Sequence, residues 1–556
     1  MNGPTPSNDY AMPWTRSLNA PSLWALSVLV GVVAGLGAIV FRALISLIHN
    51  LLFLGTLSAT YDANTHTPQS PWGPFVILVP IVGALGVVFL VKNFAPEAKG
   101  HGVPEVMDAV YHYKGIIRPV VSVVKALASA LSIGSGASIG REGPIIQIGS
   151  SFGSTVGQLL RVPPWQRITL IAAGAGGGIA ATFNTPIGGV LFAVEIILHE
   201  VSARTLVPVF TATATATYIG QLYFGPHPSF SIPALETPFF VVAKPALLVA
   251  YAGLGAIAGL VSALFIRSIY GAERIFEKHV KGGYYGQHIV GMLLVGSLMY
   301  AMMYRFGHYY IQGVGYATIQ DILSGAGYPL YLLLLLFGLK LLATSLTLGS
   351  GASGGVFSPA LFLGATSGAA WGVVLDRIFP SLHISPAAFA IAGMGGVVGG
   401  ATGAAMAAIV MIFEMTLDYT VIVPMTLTVA ISYAVRRSML KDSIYTRKLT
   451  LRGESVPETM RADIQVSGGA ARIMRQVSPE ALASFVANSD GGSTGTSVAV
   501  LADDSLWDVI ATMRAHGASV ALVTSTNGQS PDDVKGVITR KDIVDALADD
   551  MELFNG

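Results

Sequence analysis

The sequence predicts an all-α polytopic membrane protein, built as two homologous halves of broken helices and followed by a small soluble α/β module. Three observations carry that prediction. Residues 125–157 and 340–372 align without a gap at a constant offset of 215 positions and share 14 of 33 residues. Apolar residues make up 52% of the 556-residue chain and charged residues 11%, with a mean hydropathy of +0.63; ordinary globular chains carry about a quarter charged residues. Apolar runs such as 23–48, 75–91, 245–265 and 330–348 are long enough to cross a hydrocarbon layer of about 30 Å.

Taken in order, residues 1–21 lack the basic start and apolar core of a signal peptide and read as a cytoplasmic tail. The membrane body runs from 22 to 449, with halves at about 22–225 and 238–449. Within it, segments 145–160, 168–182, 188–198, 356–375 and 387–399 are shorter than a full span and are interrupted by Gly or Pro. Broken backbone at membrane depth is tolerated only where it is buried in protein or lines a polar cavity. The repeat also extends outward from its best-matched core. Residues 170–195 match 390–414 with Glu195 and Glu414 in register, and GHGVPEVMDAV (100–110) faces GVGYATIQDIL (313–323). Duplications of this kind place substrate between the halves near the midplane. Parallel and inverted halves are both consistent with the pattern.

Arg436, Arg437, Lys441, Arg447, Lys448 and Arg452 follow the last apolar run, which puts the C-terminal end in the cytoplasm. From 450 to 556 the texture is soluble, with a linker at 488–496; 497–527 then reads as strand, helix, strand, and 533–547 as strand and helix. A net charge of +1 without a basic run gives no nucleic-acid partner, and the absence of cysteine removes disulfides and thiolate metal sites. No metal-ligand cluster or nucleophile–base pair appears in the membrane region, so neither an enzyme nor a cofactor is expected.

The chemistry concentrates where the helices break. Pro144 and Pro359, twins in the repeat, mark helix starts, because proline is favoured at the first helical position. The residues before them, 140–143 and 355–358, then offer free backbone N–H groups at the positive end of a helix dipole, which binds anions without a cationic side chain. Pro104 repeats this grammar after the glycine pair Gly100 and Gly102. The stripes Gly149, Gly153, Gly157 and Gly364, Gly368, Gly372 are read as close helix packing.

Glu142 is the one acidic difference between the copies; its twin is Phe357. A carboxylate at membrane depth is costly and marks function. Just before a helix start it can occupy an anion site as a tethered mimic and swing away when protonated, which makes it a candidate gate and proton acceptor. Plain helix capping is the alternative. Arg141 either lends positive potential or snorkels to the interface. Lys125 and Lys340 are expected to satisfy backbone carbonyls between the halves, and Glu195 and Glu414 to be structural. His101 sits where titration near neutral pH could tune anion affinity.

GHGVPE, GREGP, GGVFSP and SIYTRKL, in this order and spacing, resemble the signature segments of the CLC chloride channels and chloride/proton exchangers. The resemblance spans essentially the whole membrane body. It implies an inverted-repeat bundle of broken and tilted helices, working as a homodimer with a pore in each subunit and with chloride as the bound ligand. It assigns Glu142 as the external gate, backbone amides to Val356, Phe357, Gly100, Arg141 and Gly143, a hydroxyl to Tyr445, and the inner end of the path to the His101 position. Two departures stand out. His101 replaces the family's central-site serine, and Ile196 occupies the position of the exchangers' internal proton glutamate. Isoleucine cannot relay protons, which tilts the expectation slightly toward channel-like conduction; proton-coupled antiport by another inner route is the alternative. A secondary transporter of an organic solute is the third reading, but the pathway segments offer no paired charges to grip a zwitterion. The C-terminal module resembles a CBS domain, clearest at 497–547, with a degenerate first copy at most in 456–486. Asp542 could hold the ribose of an adenine nucleotide there; an exposed helix-start acid is the favoured reading. The expected location is a bacterial inner membrane, multi-pass, with the tail in the cytoplasm.

Overall fold

Among the described residues, seven helices are long and apolar enough to cross a bilayer, from Ala20–Leu54 to Tyr419–Met439. The computed structural model describes residues 17–232, 245–382, 384–454, 456, 461–462, 470–475, 497–502, 504, 506–524 and 534–544. The linker at 488–496, most of 456–486 and the tail through residue 16 lie outside them. The chain divides into two compact units, one spanning Thr15–Arg461 and one within Ala462–Gly556.

In the larger unit the first half contributes α1 (Ala20–His49), α2 (Val79–Phe94), α3 (Val103–Tyr111), α4 (Val120–Gly134), α5 (Glu142–Leu159), α6 (Pro164–Phe183), α7 (Pro186–Phe192), a π-helical turn Ala193–Leu198, and α8 (Ala203–Phe224). The second half repeats the series as α9 (Pro245–His279), α10 (Gly283–Phe306), α11 (Tyr316–Leu323), α12 (Leu330–Gly349), α13 (Phe357–Ile378), α14 (Pro386–Thr402), α15 (Ala405–Thr416) and α16 (Ile422–Met439). The short α17 (Thr446–Arg452) closes the unit. The halves are inverted. Gly140 and Gly355, twins in the repeat, form an antiparallel bridge and exchange both backbone hydrogen bonds at 2.8 and 2.7 Å, as residues related by a pseudo-two-fold axis must.

The small-residue stripes do what their spacing predicts. A Cβ at Gly149 would lie 2.2 Å from the Gly174 carbonyl oxygen on α6, and one at Gly364 would lie 2.3 Å from that of Gly393 on α14. The pairs α5–α6 and α13–α14 are therefore in backbone contact; α13, at 22 residues long and apolar enough to cross a bilayer, corrects the expectation that 356–375 is shorter than a full span.

Two acid twins lock the halves together. Glu195 accepts from the Met406 and Ala407 amides at 3.1 and 2.6 Å at the start of α15. Glu414 accepts from the Ile187 and Gly188 amides at 3.1 and 2.7 Å at the start of α7. Each carboxylate caps a broken helix of the opposite half, satisfying donors that have no partner in their own helix. Truncating either to Ala should cost about 1–2 kcal/mol. Thermal unfolding in detergent, followed by tryptophan fluorescence, is expected to drop by a few degrees for E195A or E414A; an unchanged midpoint would remove the capping role.

In the second unit, β1 (Ser497–Leu501) pairs parallel with β2 (Val520–Thr524) across α18 (Leu506–Ala515), and β3 (Val534–Thr539) pairs antiparallel with β2. Val500, Val509, Met513, Ala521, Val523 and Ile538 form its core. The strand, helix, strand order is the one the sequence pattern predicts.

Candidate functional site

Helices α5 and α13 begin two residues earlier than their prolines suggest: Glu142 and Phe357 are the first helical residues, and Pro144 and Pro359 stand third. The displacement costs nothing, since the first four N–H groups of a helix lack intrahelical partners wherever proline falls among them. It moves the free amides directly onto Glu142, Gly143, Phe357 and Ser358.

Three chain segments meet at this point. Gly100 bridges to Ser353, with its N–H on the Ala352 carbonyl at 3.1 Å and its carbonyl accepting from Gly354 at 3.2 Å. A Cβ on Gly143 would stand 2.1 Å from the His101 carbonyl oxygen and 3.1 Å from the Gly355 Cα. The loops before α3, α5 and α13 thus cross backbone to backbone. Gly102 and Gly315, twins one residue before α3 and α11, carry φ of +88° and +80°, a conformation that only glycine adopts without strain.

Lys125 and Lys340 pin these loops. Lys125 Nζ donates to the Ala98 and Gly100 carbonyls at 3.0 and 2.8 Å, and Lys340 Nζ donates to those of Ile311 and Gly313 at 3.1 and 2.8 Å. Each lysine serves its own half, which corrects the expectation of carbonyls between halves; the reason is that each helix packs against the loop preceding its own half's broken helix.

The Glu142 side chain is 2% exposed and reaches across the repeat. Its Oε1 accepts from the Tyr316 hydroxyl at 2.7 Å and from the Ser358 hydroxyl, and its Oε2 accepts from the Ser358 amide at 3.3 Å. The Tyr316 and Ser358 hydroxyls are themselves 2.7 Å apart. A carboxylate is held here by two hydroxyls and a helix-start amide, donors that would serve any small anion. Arg141 lays its guanidinium over the Tyr316 and Phe183 rings, 5.3 and 5.7 Å from their centroids, and its buried Nε has no hydrogen-bond partner. A cavity of about 330 Å³ opens over Arg141 and Tyr316, with Arg42, Asn184, Thr217 and His227 also on its walls.

The remaining predicted residues fall as follows. Val356 and Phe357 are buried at the start of α13, the Phe357 ring 5.7 Å from that of Phe183. His101 is buried, its Nδ1 unpartnered, with its ring 6.1 Å from that of Tyr270. The Tyr270 hydroxyl donates to the Ile444 carbonyl at 2.6 Å, next to buried Tyr445, whose ring lies 6.4 Å from that of Phe192. Ile196 is buried in the π-helical turn. Asp542, in the other unit, is buried rather than exposed; it accepts from the Thr539 amide and hydroxyl at 2.8 and 2.7 Å and pairs with Arg475.

Sequence reasoning did not single out the side chains of Tyr316, Ser358 or Tyr270, although it placed the Ser358 amide among the free helix-start donors. The repeat carried a signal for the first two: Ser358 is the twin of Gly143, and Tyr316 opens α11 where Val103 opens α3. Nothing local marks Tyr270, which follows the apolar run in the C-terminal part of α9.

An inverted repeat of broken helices, converging on a buried carboxylate held by an amide of the opposite half, defines a multi-pass membrane protein. The family model described as voltage gated chloride channel matches residues 82–437, and one for the CBS domain matches residues 495–549. The chain belongs to the voltage gated chloride channel (CLC) family and carries a C-terminal CBS domain. It is 31% identical over 419 residues to an H(+)/Cl(-) exchange transporter ClcA of Vibrio cholerae, covering 73% of this chain and 84% of that protein. It is 30% identical over 448 residues to the ClcA of Citrobacter koseri, covering 80% and 91%. Among solved structures, a slow cyanobacterial Cl-/H+ antiporter shares the fold with a TM-score of 0.69 at 24% identity, covering 78% of this chain and 99% of that one. A CLC-type fluoride/proton antiporter does so with a TM-score of 0.62 at 22% identity, covering 78% and 98%.

Proposed function

We propose that this protein moves chloride and similar small anions across a membrane in exchange for protons, with Glu142 as gate and proton acceptor and one path in each subunit of a homodimer. The observation that carries the reading is the Glu142 carboxylate lodged among the Ser358 amide and the Tyr316 and Ser358 hydroxyls. A tethered anion in an anion site must be displaced for a free anion to pass, and protonation weakens its hold. Amides and hydroxyls without a bound cation also let the anion leave, which conduction needs. Val356, Phe357, Arg141 and Gly143 serve the path with backbone amides, Tyr445 with its hydroxyl, and His101 at the inner end; the Gly100 amide, already donated to the Ala352 carbonyl, is left out of that set.

The exchanger reading is preferred over channel-like conduction because the ClcA relatives are named as exchangers. Ile196 is the observation on the other side: a buried isoleucine stands where an inner proton acceptor is needed. In the exchanger, protons reach Glu142 through water or past the unpartnered Nδ1 of His101. The CBS domain is read as regulatory or dimer-stabilising rather than nucleotide-binding, since the Asp542 carboxylate is already engaged by Thr539 and Arg475. The basic residues flanking α17 favour a cytoplasmic tail in a bacterial inner membrane.

Chloride efflux from proteoliposomes with simultaneous pH recording tests the reading. A chloride gradient is expected to drive protons against their own gradient. Chloride flux without proton movement would leave the gate but remove exchange, and no anion flux at all would end the proposal.

A further inference from the structure

We propose that Tyr316 and Ser358 form a hydroxyl latch that holds the Glu142 gate closed and sets the pH at which it opens. The inference rests on the reading of Glu142 as the gate. It concerns two side chains from the opposite half of the repeat. Glu142 stands on α5, whereas Tyr316 and Ser358 begin α11 and α13. Both hydroxyls converge on Oε1, and the Ser358 amide takes Oε2. Opening the gate therefore breaks contacts between the halves.

The latch is braced from outside. Gly315 turns the chain at φ +80° immediately before Tyr316, and Lys340 fixes the carbonyls of Ile311 and Gly313 just upstream. The Tyr316 ring packs edge-on against Phe230 at 5.3 Å and lies under the Arg141 guanidinium. Neither contact uses the hydroxyl, so a phenylalanine keeps the ring in place and removes only the donor.

Hydroxyl bonds to an ionised carboxylate are short and roughly twice as strong as neutral ones. A protonated carboxyl is a weaker acceptor, and a halide spreads its charge over a larger sphere. The two hydroxyls thus favour the closed, ionised gate over both the protonated gate and a bound chloride. Lys340 from α12 and Tyr445 ahead of α17 are the other titratable groups that interact with Glu142, and Arg141, its neighbour in the chain, lies over the Tyr316 ring. All three remain when the hydroxyls are removed.

The test is the pH profile of chloride efflux from proteoliposomes holding wild-type protein, Y316F, S358A or the double variant. Loss of one charge-assisted bond should move half-maximal flux about one unit toward alkaline pH and raise flux at neutral pH about tenfold. The double variant should move further, and S358T, which restores a hydroxyl, should return the wild-type profile. S358A gives the same reading if Y316F does not fold. A wild-type profile in Y316F or S358A, with E142Q giving a flat one, would overturn the latch and leave the gate standing. Persistent pH dependence in E142Q would overturn the gate itself, and the latch with it.

Discussion

Replacing Glu142 with Gln is expected to leave chloride flux intact while proton movement falls to the leak of empty liposomes and the pH dependence of efflux disappears. Glutamine keeps the shape of the side chain but has no proton to exchange and no negative charge. Its neutral carbonyl can still accept from Tyr316 and Ser358, but the charge-assisted part of those bonds is lost. That loss amounts to about 1.5 kcal/mol or more, which makes displacement by chloride at least about tenfold easier. The direction follows from the carboxylate being the only acid among the donors at this point. Chloride efflux and pH recorded together in one preparation read both consequences. A variant that still pumped protons, or kept the wild-type pH profile, would show that the gating acid lies elsewhere.

Replacing Gly143 with Ala is expected to abolish assembly of the transport unit. The new methyl would fall 2.1 Å from the His101 carbonyl oxygen and 3.1 Å from the Gly355 Cα. Neither atom belongs to a flexible side chain. Each sits in a loop held by backbone bridges, at Gly100–Ser353 and Gly140–Gly355, and Lys125 further fixes the loop of Gly100. The strain cannot relax locally, so the cost should exceed the usual 1–3 kcal/mol of overpacking. Size-exclusion chromatography in detergent should show aggregated protein with little of the folded peak, and chloride efflux should be lost. A folded, conducting variant would mean that the three-loop crossing is looser than these distances imply.

Much of the architecture is legible in the amino-acid sequence, and for a physical reason. Apolar length, small-residue spacing and helix-start prolines are local patterns imposed by lipid and by backbone hydrogen bonding, so the broken helices can be located from the chain alone. The acid twins Glu195 and Glu414 are legible as structural, but that each caps a helix of the opposite half is not, because their donors lie 212 and 226 residues away. The lysine twins show the opposite error. Their symmetry suggests a bond between halves, whereas each closes on a loop 25–29 residues upstream in its own half.

The site divides the same way. By itself the sequence determined the membrane class, the duplication, the two amide-bearing helix starts and the single acid between them, because each is written within a few residues of chain. Tertiary structure alone decided that three loops cross backbone to backbone and that Tyr316 and Ser358 meet Glu142 across 174 and 216 residues. Those facts depend on how two halves approach one another. Local periodicity constrains each half and leaves the donors that will face the Glu142 carboxylate to the packing of the other.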